Sequence, residues 1–229
     1  MGPKPRDARG PTLRRQNRVM VDRLVQAIVL VTDLPAAGRR METLGLTVLE
    51  GGRHPGRGTA NLIVPFGTQY LELLAVVDAS EAGDSPQGQP VLAALSRRGP
   101  GLARWSVEPD DIEATAERVG HPVEHRQRVR PDGTAVTWRS VAVDTAWREP
   151  WRCAFMAWDD PATHPARLFQ AHPNGATGFA RLDLVVPDIG VAQEWSGGRL
   201  PPGVVMEVGP EPGPSSLCLS SPEGEIPIH

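Results

Sequence analysis

Glu72 is a lone carboxylate in an otherwise apolar stretch of this sequence, residues 70–76. Its immediate neighbours are leucines and a tyrosine, which is typical of a buried strand. Strands place alternate side chains on opposite faces, so Glu72 lies either on a solvated face of a sheet or in a cavity. Burying an unpaired carboxylate is costly, so a position in a cavity would give Glu72 a partner or a chemical role.

Two histidines are candidates for acid/base chemistry because an imidazole titrates near neutral pH. His54 lies in a Gly/Pro/Arg-rich loop, residues 51–58, just before the hairpin that carries Glu72. His172 begins the sequence His-Pro-Asn-Gly. Each has an alternative interpretation, since His54 could be a surface residue and Asn-Gly is an ordinary turn signal.

Composition excludes several classes of protein. The net charge of −3 provides no basic field for nucleic acid, and no apolar run is long enough to span a membrane. No signal-peptide pattern opens the sequence, and its two cysteines are far apart, which favours buried thiols in a reducing cytoplasm. Phosphate-binding glycine loops, a nucleophilic serine elbow and a redox cysteine motif are all missing from the sequence.

The order of predicted elements is that of an internal repeat. Strand–helix junctions recur at residues 30–34, 106–112 and 185–189, each with an aspartate before the predicted helix. We therefore expect an α+β fold of tandem strand–helix–strand–strand–strand modules with curved sheets. The predicted segments are a disordered basic tail (1–19), module one (21–78), a linker with a short helix (79–100), module two (101–160) and a loop with a truncated third module (161–229).

Four short motifs carry a resemblance to a known family. They are His-Pro-Gly-Arg-Gly-Thr-Ala-Asn (54–61), Tyr-Leu-Glu-Leu-Leu-Ala (70–75), Met-Ala-Trp-Asp (156–159) and His-Pro-Asn-Gly (172–175). With the repeat, they resemble glyoxalase-like domain proteins of bacteria, within the vicinal oxygen chelate superfamily. That superfamily includes glyoxalase I, extradiol dioxygenases, and fosfomycin and bleomycin resistance proteins. The resemblance covers about residues 21–220 and is more specific for the fold than for the reaction.

The resemblance implies a cup formed by two paired modules, with a divalent metal (Zn, Ni, Fe or Mn) held by the first and last strand of each. In module one these positions fall on Gln26 and Glu72, both acceptable ligands. In module two they fall near Leu102 or Ala103 and near Met156, none of which suits a hard divalent ion. The ligand set is therefore incomplete unless His54, His164 or His172 contributes.

The same cup could instead bind an organic ligand without a metal. Glu72, His54 and His172 are then the catalytic candidates, and the ligand-binding candidates are Gln26, Asn61, Arg104, Trp105, Trp158 and Asn174. Two functions follow. One is a glyoxalase-like lyase, isomerase or dioxygenase acting on a small oxygenated metabolite, and the other is a non-catalytic ligand-binding protein of the drug-sequestering type. The expected partner is a small molecule, and the resemblance leaves a homodimer open.

Overall fold

The computed structural model describes residues 22–130 and 132–228 of the chain, which form an α+β fold with two β-sheets. The predicted basic tail at residues 1–19 lies outside these residues. Within them, no helix is both long enough and apolar enough to cross a membrane.

Module one has the predicted order of elements. Asp33 caps its helix, because the Asp33 side chain accepts a hydrogen bond from the backbone N–H of Ala36 at 2.8 Å. The module consists of β1 (Arg23–Leu30), α1 (Leu34–Thr43), β2 (Leu49–His54), β3 (Thr59–Pro65) and β4 (Tyr70–Val76).

Strand β2 extends into residues 51–58, for which the sequence predicts a loop. It contains Gly51 and Gly52, and the β2–β3 register shifts between Glu50 and Gly52. Glycines at a bulge keep a strand possible where the composition indicates a loop.

Module two repeats this order. Asp111 caps α4 by accepting a hydrogen bond from the Ala114 N–H at 2.9 Å. The module consists of β5 (Gly101–Glu108), α4 (Ile112–Val119), β6 (Glu124–Val129), β7 (Ala135–Val141), an added helix α5 (Val143–Arg148) and β8 (Ala154–Trp158). Strand β7 ends at Val141 because Ala142 adopts a left-handed backbone conformation, with φ of 59°, and starts α5.

The two modules share one sheet within a single chain. The strand order is β2-β3-β4-β1-β5-β8-β7-β6, and β1 pairs antiparallel with β5 at its centre. Each module contributes four strands, and the order of the equivalent strands in module two is the reverse of that in module one. The two halves of the sheet are therefore related by a pseudo-two-fold axis. A second copy of the chain is not needed to complete the cup.

The linker is more helical than its Ser/Gly/Pro composition indicates. It forms α2 (Ala79–Asp84), where only a connector was expected, and α3 (Gln89–Arg98). Asp78 caps α2 by accepting a hydrogen bond from the Glu81 N–H at 2.9 Å.

The C-terminal segment forms a second sheet. Its elements are β9 (Gly178–Val186), α6 (Ile189–Trp195), β10 (Val204–Val208), β11 (Gly213–Ser221) and β12 (Gly224–Ile228). Asp188 caps α6, as the repeat predicts. The strand order, β10-β9-β11-β12, differs from that of the two modules. The segment thus has all five elements of a module, where a truncated copy was expected, but connects them differently.

The large apolar core lies on one face of the eight-stranded sheet. Trp105 and Phe155 from this sheet are fully buried in the same apolar cluster as residues of the second sheet, including Leu182 and Leu184. This packing leaves the opposite face of the central strands free to line a cup.

Candidate functional site

A cavity of about 150 Å³ opens in the cup, lined by strands from both modules. Alternation along β4 separates its two faces, since Glu72 lines the cavity while Leu71 lies in the apolar core. Glu72 is only 8% exposed, which confirms a position in a cavity and excludes the solvated sheet face.

A chain of hydrogen bonds crosses four neighbouring strands at the base of this cavity. Gln26 on β1 donates from Nε2 to Glu72 Oε2 at 2.5 Å, and Asn61 on β3 donates from Nδ2 to Glu72 Oε1 at 2.7 Å. On the other side, Ser106 Oγ and Arg104 Nη2 on β5 donate to Gln26 Oε1 at 2.7 and 3.2 Å. Gln26 therefore connects the two modules through its own side chain.

The orientation of the Gln26 amide follows from its neighbours. Reversing the amide would place its oxygen against the Glu72 carboxylate and its NH₂ against the Arg104 guanidinium, pairing two acceptors and two donors. Only the observed orientation satisfies both contacts. Each Glu72 oxygen thus accepts one amide hydrogen and keeps a further lone pair.

Arg104 occupies the module-two position that corresponds to Gln26. It precedes the capping Asp111 by the same number of residues as Gln26 precedes Asp33, which corrects the position near Leu102 or Ala103. Arg104 is buried, and its guanidinium lies 4.8 Å from the centre of the Trp147 ring.

The residues in the cup do not fit a divalent metal. The Gln26 oxygen, the only atom of that amide able to bind a metal, faces the permanent cation Arg104 and is turned away from Glu72. The cavity-facing residues of β8 are Met156 and Trp158. In the described part of the chain, no three His, Cys, Asp or Glu side chains are grouped as metal ligands.

His54 lines the cavity, but both of its ring nitrogens are engaged. Its Nε2 lies 3.3 Å from Arg128 Nη1, and its Nδ1 lies 2.9 Å from Thr59 Oγ1. An arginine can only donate, so Nε2 accepts and Nδ1–H donates to Thr59. His54 was predicted to be a free proton carrier, but in the structure it positions Arg128.

Burial is the main cause that lowers the pKa of His54 to about 4. The Glu72 charge opposes this shift, while the charges of Arg128 and Arg57 add to it. His54 is consequently neutral at physiological pH, as its contact with Arg128 requires.

The His54–Arg128 hydrogen bond also joins the two edges of the sheet. His54 ends β2 and Arg128 lies on β6, the strands at opposite ends of the eight-stranded order. Their contact brings the edges together and closes this side of the cup.

Aromatic side chains form another wall of the cavity. Trp158 on β8 is opposite Trp138 on β7, and its ring lies edge-on to Tyr70, with ring centres 6.2 Å apart. Burial raises the pKa of Tyr70 well above 10, so the phenol stays protonated. Trp158 was predicted to line the site. Tyr70 was not, although it shares the strand face of Glu72.

Three predicted site residues lie outside the cavity. Trp105 is fully buried in the apolar core, because its position on β5 is one residue out of phase with the cavity face. Asn174 donates to the Leu44 carbonyl oxygen at 2.6 Å and accepts from the Ala176 N–H, which is the role of a turn residue.

His172 is the third predicted site residue that lies outside the cavity. Its Nδ1 accepts from the Thr47 N–H at 2.9 Å, so its Nε2–H donates to the Pro65 carbonyl oxygen at 3.0 Å. The ring also packs against Phe66, with ring centres 4.7 Å apart. His172 is therefore a structural residue with no free nitrogen for acid/base chemistry.

Gly51, which was not predicted as a site residue, leaves the space that the Asn61 side chain occupies. A Cβ atom at Gly51 would lie 2.0 Å from Asn61 Oδ1. We expect Gly51→Ala to displace the Asn61 amide, break its hydrogen bond to Glu72 and lower the free energy of unfolding by about 1–3 kcal/mol. Urea unfolding tests this against Gly83→Ala, where an added Cβ meets no atom within 4 Å. Equal stability of the two variants would contradict this account.

The buried histidines predict a loss of stability in acid. The pKa of His54 and that of His164, lowered mainly by burial, are each about 4, below the value near 6.5 in the unfolded chain. The unfolded state therefore binds more protons between these values. The free energy of unfolding therefore keeps its full value above pH 6.5. It falls as the pH approaches 4, by up to about 1.4 kcal/mol per pH unit for each histidine.

Urea unfolding between pH 7 and pH 4.5 measures this dependence. The variant His164→Gln should show a shallower decline in the free energy of unfolding than the unsubstituted protein. Parallel curves would show that His164 is not kept neutral by the fold.

Comparisons with known proteins agree with this architecture. Residues 27–197 match the family model described as glyoxalase-like domain. The fold matches a hypothetical protein from Staphylococcus aureus, with a TM-score of 0.60 and 13% identity over 90% of this chain and 84% of that one. No curated protein sequence matches.

Two methylmalonyl-CoA epimerases also align, over a smaller part of this chain and with lower TM-scores. That from Mycobacterium tuberculosis has a TM-score of 0.42 and 16% identity over 63% of this chain and 92% of that one. That from Streptomyces coelicolor, in complex with 2-nitronate-propionyl-CoA, has a TM-score of 0.43 and 18% identity over 63% and 98%. On the family match and the paired modules, this chain belongs to the glyoxalase-like domain family and has the vicinal oxygen chelate fold.

Proposed function

We propose that the cup binds a small oxygenated metabolite and that Glu72 transfers a proton to or from a carbon next to its carbonyl group. The reaction class is that of a glyoxalase-like isomerase or lyase. The observation that carries this proposal is a buried carboxylate held at both oxygens by the amides of Gln26 and Asn61, facing a cavity.

The amides suit this role because they carry no charge. They orient the Glu72 carboxylate without forming an ion pair with it, and no arginine lies within salt-bridge distance of Glu72 among the described residues. A lone pair on each oxygen stays available to a proton on the ligand.

The cavity also provides positive charge for the other half of the reaction. When Glu72 removes the proton, the electron pair of the C–H bond moves to the carbonyl oxygen, giving an enolate. The guanidinium group of Arg104 lines the same cavity and would stabilise that oxygen. Return of the proton from Glu72 to a neighbouring atom, or to the opposite face of the same carbon after the enolate has turned, completes the isomerisation.

The aromatic wall favours a second candidate function. Tyr70, Trp138 and Trp158 could hold an apolar or aromatic ligand without any reaction, as in a drug-sequestering protein. Binding and proton exchange must therefore be measured separately.

Two further features belong to this proposal. We place the protein in the cytoplasm because Cys153 and Cys218 are free and buried, as suits a reducing compartment. A homodimer is compatible with the structure, but the cavity is lined by residues of one chain.

The test is exchange of carbon-bound hydrogen for deuterium. The protein would be incubated in D₂O with a panel of small 2-hydroxy and 2-oxo acids and their thioesters, and exchange would be followed by proton NMR. We expect exchange at the carbon next to the carbonyl of at least one compound. Glu72→Gln should slow it by about 100-fold or more, since it removes the base.

A matched control is Glu117→Gln, at an exposed position on α4 outside the cavity, which should leave the exchange rate unchanged. Unchanged exchange in Glu72→Gln would remove Glu72 from the chemistry. Tight binding of a compound by the unsubstituted protein, without exchange in any compound of the panel, would favour the sequestering function.

A further inference from the structure

We propose that one side of the cup is an oxyanion-binding site, in which Arg57, Arg126 and Arg128 hold the carboxylate or phosphate group of an amphipathic small molecule. This inference rests on the proposed function for the location of the site and names the class of ligand.

The charge of the cavity is opposite to that of the chain. The chain has a net charge of −3, whereas the cavity is lined by four arginines and only two carboxylates, Glu72 and Asp144. Three of the arginines are Arg57, Arg126 and Arg128, and the fourth is Arg104 at the base. An excess of one sign of charge in a concave site attracts ligands of the opposite sign.

These cations are incompletely neutralised by the protein. Among the described residues, Arg57 and Arg128 form no salt bridge, and Arg126 pairs with Glu124 alone. Burial, and then the charges of Arg126 and Arg128, lower the pKa of Arg57. The three guanidinium groups therefore repel one another, and a bound anion would relieve this repulsion.

Arg128 is held in position by a neutral partner. His54 accepts one N–H from Arg128 and is itself fixed by its hydrogen bond to Thr59. Because His54 is uncharged, it orients the guanidinium without neutralising it. The remaining N–H groups of Arg128 stay available for an oxyanion, and arginine can hold such a group with two parallel hydrogen bonds.

The base of the cavity adds a donor. Arg104 is 6% exposed, and its Nε is buried without a hydrogen-bond partner in the described part of the chain. An unpaired buried N–H is unfavourable, so a ligand oxygen in the cavity is the partner it lacks.

An apolar surface adjoins the arginines. Arg126 on β6 is opposite Trp138 on β7, which in turn is opposite Trp158 on β8, and Arg128 is opposite Val136. A ligand held by these arginines would therefore lay an apolar or aromatic body along the tryptophans. The cavity of about 150 Å³ matches a body of roughly one aromatic ring.

The experiment is isothermal titration of the full chain with four probes. They are phenylacetate, phenyl phosphate, the neutral analogue phenylacetamide, and inorganic phosphate. We expect the two amphipathic anions to bind, phenylacetamide to bind at least about 10-fold more weakly, and inorganic phosphate to bind weakly because it lacks the apolar body. The stronger of the two anions identifies whether carboxylate or phosphate is the preferred group.

The variants are Arg57→Gln and Arg128→Gln, each expected to weaken binding of the preferred anion by about 10- to 100-fold. His54→Leu should also weaken it, since Arg128 would lose its support. Arg148→Gln, at an exposed position on α5, is the matched control and should bind as the unsubstituted protein does. Thermal unfolding of each variant checks that it is folded, and Arg57→Gln alone decides the test if Arg128→Gln does not fold.

The proposal is overturned if phenylacetamide binds as tightly as phenylacetate and phenyl phosphate, or if Arg57→Gln binds like the control. Those results would not contradict the proposed proton transfer by Glu72, because a neutral substrate could still exchange its carbon-bound hydrogen. Conversely, arginine-dependent anion binding with no deuterium exchange in any compound would support this inference while removing the proposed reaction.

Discussion

The hydrogen bond between Gln26 and Glu72 is the interaction on which the site depends. It joins β1 to β4, and the same Gln26 side chain accepts from Ser106 and Arg104 of the other module. Hydrogen bonds in a low-dielectric interior are strong and the loss of one partner is costly, so each member of this buried polar chain fixes the position of the next. The base of the cup, the orientation of Glu72 and the pairing of the modules are therefore coupled through one amide.

The cup keeps the architecture of its superfamily with a different arrangement of charge. Where the resemblance implies a metal between the modules, the pseudo-two-fold equivalent of Gln26 is Arg104, a fixed cation that faces the amide oxygen. Arg57, Arg126 and Arg128 add positive charge at the sides of the same cavity. Guanidinium groups can stabilise negative charge on a bound oxygen, which is the role that we propose for Arg104.

Much of the fold could be predicted because the signals were local. Asp33, Asp111 and Asp188 each cap a helix, and their recurrence revealed the repeat. The cavity position of Glu72 remained one of two alternatives, since alternation identifies two faces but does not say which one is solvated. His172 and Trp105 were misassigned because their roles depend on contacts distant in sequence, the Pro65 carbonyl oxygen and the apolar core. The His54–Arg128 contact depends on closure of the whole sheet, which no local pattern shows.

The most direct test of the central claim is the metal content of the cup. Protein purified without chelator or affinity metal would be examined by elemental analysis, together with Glu72→Ala. An amide-held carboxylate beside Arg104 predicts no stoichiometric Zn, Ni, Fe or Mn in either protein. About one metal per chain in the unsubstituted protein, lost in Glu72→Ala, would contradict this account, because Gln26 and Glu72 would then be metal ligands and would not form the hydrogen-bonded pair described above.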